Sequence, residues 1–179
     1  MISRLCYNIF MDIFAIKIND LESLNKEALK QFEKKVINDE KKRLIHSLTY
    51  FMLDKILKDV YKINDTEIIY ENNKPVLKNG LKKFSVSHSE EFIALAFSDY
   101  DCGIDIEKNK ERDYEKIAKR MKFNCKNKIE FYQEWTKFEA EYKLNTTPKS
   151  LKFCKVDDYI LCVVSIKDNE EFNLYTLTT

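Results

Sequence analysis

The chain is short of the residues that usually punctuate a fold: among 179 residues there are two glycines and two prolines. Turns then fall to Asn and Asp, whose short side chains bond the local backbone and tolerate left-handed conformations, and element boundaries are soft. Neither sign of charge prevails. Lys and Arg number 31 against 30 Asp and Glu, a formal net charge of +1, which argues against a dedicated nucleic-acid-binding domain, since those are clearly basic. No apolar run is long enough to span a membrane. The first residues carry an early acid, Asp12, and no secretory cleavage pattern. The five cysteines, Cys6, Cys102, Cys125, Cys154 and Cys162, are scattered, odd in number and include no CxxC pair. That disfavours both a disulfide framework and a thiolate zinc site. The expectation is reduced, largely buried thiols in a cytoplasmic protein.

What is present is globular. Hydrophobic residues make up 44% of the chain and charged residues 34%, with 12 Phe and 10 Tyr carrying much of the apolar content. Residues 7–18 read as a strand with apolar side chains on both faces. Leu21, Leu24, Ala28, Leu29, Phe32 and Val36 recur at helical steps, and a stronger helix with Leu44, Leu48, Phe51, Met52, Ile56 and Val60 on one stripe follows a cap at Asn38 or Asp39. Residues 67–70 read as a short strand and 72–75 as a turn. Residues 84–88, 92–98 and 103–107 are three strands in close succession, which suggests an antiparallel meander. Helices are expected over 114–121 and 128–144, the second stopped by Pro148. Residues 159–166 and 172–177 read as a closing hairpin. The order strand, helices, strands thus occurs twice, with a seam near 100–102 that divides the chain into residues 1–101 and 102–179.

Four local patterns carry candidate chemistry. In Gly103-Ile104-Asp105-Ile106-Glu107 the strand alternation sends Asp105 and Glu107 to one side and the isoleucines to the other. Two carboxylates that close repel unless a cation stands between them, and hard oxygen ligands suit magnesium. Gly103 permits a close backbone approach beside the pair. Trp135, Glu139 and Lys143 form one helical stripe. There Glu139 borders an apolar face and needs a partner, as a further metal ligand or a base, and Lys143 is placed to hold phosphate. In Ser87-His88-Ser89 an imidazole and two hydroxyls at a strand end can receive a phosphate. No GxSxG elbow accompanies them, which excludes that serine-hydrolase arrangement. His46, beside the stripe of the long helix, reads as structural. Finally, Lys34, Lys35, Lys41, Lys42 and Arg43 cluster around the start of the long helix. A helix N-terminus also favours an anion, and Arg43 is the best single candidate.

In order and content these segments resemble the 4'-phosphopantetheinyl transferase superfamily, in particular its larger monomeric branch that activates surfactin-type synthetases. The resemblance runs from residue 39 to 143 through Asn73-Lys74-Pro75, Phe84-Ser85-Val86-Ser87-His88-Ser89, Gly103-Ile104-Asp105-Ile106-Glu107-Lys108, Ile117-Ala118-Lys119-Arg120-Met121 and Trp135-Thr136-Lys137-Phe138-Glu139-Ala140-Glu141-Tyr142-Lys143. It implies an α+β fold of two pseudo-twofold related α/β halves, each with a small, mostly antiparallel sheet packed on helices, and coenzyme A bound at their interface. It implies that Asp105, Glu107 and Glu139 bind magnesium, with Glu139 also the base. Lys143 and His88 would contact cofactor phosphates, Lys74 and Ser87 would be further anchors, and Arg43 would meet the nucleotide. Lys34 or Lys35 would grip the 3'-phosphate. Phe138 departs from the pattern, since relatives usually carry lysine there.

The implied activity is that of a holo-[acyl-carrier-protein] synthase. It transfers 4'-phosphopantetheine from coenzyme A to a serine of an apo acyl, peptidyl or polyketide carrier protein and releases adenosine 3',5'-bisphosphate. Carrier proteins are acidic, so a basic or lysine-rimmed apolar surface is expected to meet them. Two alternatives keep the same residues: a magnesium-dependent hydrolase of coenzyme A or a nucleotide, and a non-catalytic carrier-binding relative. Nucleic acid and membrane are not expected partners.

Overall fold

The computed structural model describes residues 10–33 and 37–179. Its described elements are mixed α and β, with mostly antiparallel pairing, as expected. The first strand, β1 (Phe10–Lys17), is buried on both faces. Phe14 and Ile16 enter one core, while Met11, Ile13 and Ala15 enter another. Of the first helical pattern, the short helix α1 (Lys26–Lys30) is what forms among the described residues, and Val36 lies outside them. Leu21, Leu24 and Phe32 still pack on the core from irregular backbone. The long helix α2 (Glu40–Asp59) begins where the cap pattern places it, with Asp39 accepting the Lys42 N–H at 2.9 Å.

The next two strands, β2 (Ile68–Glu71) and β3 (Lys74–Leu77), form a hairpin. Its two-residue turn is Asn72-Asn73, both at positive φ (50° and 64°), the geometry a tight hairpin needs, met here without glycine. Lys74 therefore opens β3 rather than sitting in the turn. Strands β4 (Lys83–Ser89) and β5 (Phe92–Ser98) form a second hairpin. The expected meander ends there, because β6 (Cys102–Lys108) pairs with neither and joins another sheet.

Helices α3 (Tyr114–Met121) and α4 (Lys128–Leu144) occupy the expected spans. Each ends on a left-handed residue, Lys122 and Asn145, that closes the last turn. The closing hairpin differs from expectation. A strand not anticipated, β7 (Ser150–Val156), pairs antiparallel with β8 (Tyr159–Ser165), and β8 in turn pairs with β6. The last strand, β9 (Glu171–Thr178), does not fold back on β8 but lies parallel to β1, with Phe10 opposite Glu171 and Lys17 opposite Thr178. Asn173 and Tyr61 both donate to the buried carboxylate of Asp12, at 3.1 and 2.7 Å, fastening β9 and the end of α2 to β1. The C-terminal strand thus completes the sheet of the N-terminal half, and a cut at residue 101 would separate β1 from it.

The result is four layers. Helix α2 covers the sheet β4-β5-β1-β9 through Leu48, Leu53, Ile56 and Leu57. The inner faces of that sheet and of β6-β8-β7 share a core that includes Ala94, Ala96, Ile104, Ile106 and Leu161. Helices α3 and α4 cover the outer face of the second sheet through Ala118, Phe131, Tyr132, Ala140 and Leu144. The four described cysteines are free thiols, and burial pushes Cys102 up to about 12; Cys6 lies outside the described residues. No helix among the described residues is long and apolar enough to cross a membrane.

Candidate active site

The two sheets meet along β4 and β6, which belong to different sheets yet run side by side. A face of three serines on β4 bridges them. Ser85 Oγ accepts the Ile104 N–H at 3.1 Å, Ser87 Oγ donates to Asp105 Oδ1 at 2.7 Å, and Ser89 Oγ donates to Glu107 Oε2 at 3.0 Å. Strand alternation accounts for the other side: Ile104 and Ile106 are buried in the shared core, as the sequence pattern requires.

On the far side of β6 stands α4, and Gly103 sets its distance. A Cβ at Gly103 would fall 2.0 Å from the carbonyl oxygen of Ala140, so only glycine lets helix and strand backbones touch here. That contact brings the stripe of Glu139 and Lys143 over Asp105. The Lys143 Nζ donates to Asp105 Oδ1 at 2.8 Å and to the Ile104 carbonyl at 3.0 Å. Trp135, one turn earlier on the same stripe, packs among Phe123 and Phe131 with ring centroids 6.3 and 6.0 Å away.

The electrostatics follow from this crowding. Asp105 is 5% exposed. Its Oδ1 is bonded to Ser87 and Lys143, whereas its Oδ2 is buried without a hydrogen-bond partner among the described residues. An unpaired carboxylate oxygen out of water is costly. Burial, and then the charge of Asp105, push the Glu107 carboxyl above its ordinary value. The same two causes raise Glu139, against the opposing pull of Lys143. Among the described residues no three acidic, histidine or cysteine side chains are gathered into a metal site; the cation standing at Asp105 is the Lys143 ammonium. The donor chemistry nevertheless fits a hard divalent ion, because the acids supply oxygen ligands and one of those oxygens, Asp105 Oδ2, has no partner among the described residues.

Beside these acids runs a cleft made of three adjoining cavities. One, of about 600 Å³, lies between the β2–β3 hairpin and the end of α4, and includes Asn73, Lys74, Pro75, Tyr142 and Lys143. The next, of about 460 Å³, shares Asn73, Pro75, Val86 and Lys143 with it and adds His46, Tyr50, Tyr70 and His88. The third, of about 510 Å³, continues from His46 and His88 to Lys41 and Lys42 at the start of α2. The hydroxyls of Tyr50 and Tyr70 are 3.1 Å apart on the wall of the middle part. One continuous groove therefore passes three groups of positive or donor character: Lys41 and Lys42, then His88, then Lys74 and Lys143.

Most of the residues singled out from sequence converge here. Asp105, Glu107, Glu139 and Lys143 lie around the β6–α4 contact, and His88, Lys74 and Lys143 line the cleft. Lys74 also donates to the Cys102 carbonyl at 3.2 Å. His46, read as structural, stands on the cleft wall with its ring 4.9 Å from that of Tyr50. Ser87 reaches the cleft, but its hydroxyl is committed to Asp105. Arg43 pairs with Glu33, 3.7 Å away; Lys41 and Lys42 occupy the cleft end instead. Lys34 and Lys35 lie outside the described residues.

The sequence patterns single out no role for Ser85 and do not pair Ser89 with Glu107. The signal was there in the alternation of Ser85, Ser87 and Ser89: three hydroxyls on one face of a strand inside a domain must find polar partners. No family model matches the chain, and no curated protein matches it.

Proposed function

We propose that the chain is a magnesium-dependent 4'-phosphopantetheinyl transferase that takes coenzyme A and an apo carrier protein as substrates. One observation carries the proposal: a buried carboxylate, Asp105, with one oxygen unpartnered among the described residues and two acids of raised proton affinity near it, is bonded through its other oxygen to Lys143 and Ser87, which line the neighbouring groove. An anionic ligand that spans adjoining cavities, such as a nucleotide diphosphate ester, suits a groove that passes Lys41, Lys42, His88, Lys74 and Lys143.

In this reading the 3'-phosphate end lies toward Lys41, Lys42 and His88, and the diphosphate lies near Lys74 and Lys143. Asp105, Glu107 and Glu139 would hold the metal, which would supply charge to offset that of the diphosphate. The carrier's serine Oγ forms a bond to the β-phosphorus as the bond from that phosphorus to the bridging oxygen breaks. The electron pair leaves on adenosine 3',5'-bisphosphate. Glu139 takes the serine proton, directly or through one water. A carboxylate whose proton affinity is raised by burial and by Asp105 is a better base near neutral pH than an ordinary one. Lys143, whose ammonium bonds Asp105, lies within the groove and can turn to the diphosphate as its negative charge arrives. The chain needs no nucleophile of its own.

The direct test is to mix the protein with coenzyme A, magnesium and an apo carrier protein and to weigh the carrier. A gain of one phosphopantetheine supports the proposal. Breakdown of coenzyme A at the same rate with no carrier present would make the protein a hydrolase, and carrier binding with neither product would make it a non-catalytic relative. A cytosolic setting belongs to the same proposal, since both substrates are found there.

A further inference from the structure

The serine face of β4 has a division of labour. Ser85, Ser87 and Ser89 point the same way and all reach across to β6, but they meet different groups. Ser85 accepts a backbone N–H, that of Ile104, at 3.1 Å. Ser87 and Ser89 each donate to one oxygen of one carboxylate, Asp105 Oδ1 at 2.7 Å and Glu107 Oε2 at 3.0 Å. The register is one to one, because β4 and β6 both alternate with a period of two. All three serines are buried.

We infer that Ser87 and Ser89 are positioning residues, each fixing one carboxylate of the acid pair so that its remaining oxygen is presented to a divalent cation. The inference rests on the proposed metal-dependent reading. Its physical basis is the state of Asp105. Two donors, Ser87 and Lys143, both use Oδ1, and Oδ2 is left buried with no partner among the described residues. A hydroxyl that engages only one carboxylate oxygen removes the freedom of the side chain to rotate and cover the other. It also spares the ligand part of the cost of being ordered at the moment of binding. Ser89 does the same for Glu107 and in addition accepts the Lys108 N–H at 3.3 Å, which ties its own rotamer to the strand it serves. Ser85 has no carboxylate to hold, so the same face carries its own control.

The test is a titration of manganese(II) into the protein held with saturating coenzyme A, with free manganese followed by electron paramagnetic resonance and thermal melting run on every variant. Ser87→Ala and Ser89→Ala are each expected to weaken manganese binding by about 10- to 100-fold, the usual loss when a group that orients a metal ligand is removed. Ser87→Thr and Ser89→Thr keep the hydroxyl and should restore it. Ser85→Ala is expected to lower the melting temperature and leave manganese affinity unchanged. If the wild type binds manganese and the two alanine variants bind it equally well, or if Ser85→Ala weakens binding as much as they do, the positioning role is overturned and the metal-dependent reading stands. If the wild type takes up no manganese with coenzyme A present, that reading fails and the inference falls with it.

Discussion

The two outer helices cover their sheets in different ways. Helix α2 meets the first sheet through full-sized side chains on both surfaces, Leu48, Leu53, Ile56 and Leu57 against Phe14, Ile93, Leu95 and Phe97. Toward the seam this spacing leaves a gap, and part of the groove lies between His46, Thr49 and Tyr50 of α2 and Val86, Ser87 and His88 of β4. Helix α4 instead touches β6 backbone to backbone at Gly103. Lys143 is thereby held on Asp105, with no room for a side chain between the two backbones at Gly103. A helix held off by large side chains leaves space for a ligand, while a helix brought in by glycine places chemistry to within ångströms. The candidate site lies where the open layer and the closed one adjoin.

The sharpest way to break the contrast is to open the closed side. Gly103→Ala would force a Cβ into the Ala140 carbonyl, a contact with backbone that no rotamer change relieves. We expect a loss of about 3 kcal/mol, at the upper end for overpacking, and a melting temperature lower by roughly 6–12 °C for a chain of this size. Transfer should be lost with it. A melt that matches the wild type would show that α4 can move away freely.

Removing the acid without disturbing the contact is expected to affect chemistry alone. Asp105→Ala should retain the wild-type circular dichroism spectrum and lower carrier labelling at least about 100-fold, in keeping with several kcal/mol of charge stabilisation from a bound metal. Labelling at the wild-type rate with magnesium present would remove Asp105 from the site.

A milder probe uses pH. Glu107 and Glu139 both have proton affinities raised in the folded state, through burial and then through Asp105. Such groups favour folding when protonated, so their contribution is fully present below the ordinary glutamate value of about 4.3 and is lost as pH rises through the raised values. A divalent cation held by the ionised acids should offset that loss. The rise in melting temperature on adding magnesium is therefore expected to be larger at pH 7.5 than at pH 5. A rise that is the same at both would place the ion elsewhere.

The smallest effect is expected on the outer surface of α4. Phe138 is 42% exposed and meets Phe123 at a centroid distance of 6.0 Å. Phe138→Lys, which installs the residue expected under the proposed function, should change stability by no more than about 0.5 kcal/mol and preserve carrier labelling. An unfolded variant would show that this ring belongs to the aromatic cluster beneath it.

Helices α2, α3 and α4 are legible in the sequence almost to the residue, for local reasons. Asp39 and Asn127 cap α2 and α4, the apolar stripes recur at helical spacing, and Asn145 in the left-handed region closes α4. The pattern from Leu21 to Phe32 is equally periodic, yet among the described residues it produces only α1, since apolar side chains can reach a core from irregular backbone as well. Strands were harder. Alternation marked β1, β4, β5 and β6, but a strand does not carry the identity of its neighbour. For that reason alternation alone sets β6 in a meander, leaves β7 unmarked and places β9 beside β8, whereas the fold pairs β6 and β7 with β8 and β9 with β1.

Asp105, Glu107, Glu139 and Lys143 could be nominated from sequence because alternation along a strand and the turn of a helix decide which side chains share a face, and both periods are properties of the local backbone. Where those faces point is a matter of packing between segments far apart in the chain. Only the folded molecule placed Lys143 on Asp105, committed Ser87 to a carboxylate, turned Arg43 to Glu33 and carried the last strand across to the first, because each of these depends on contacts that no local pattern records.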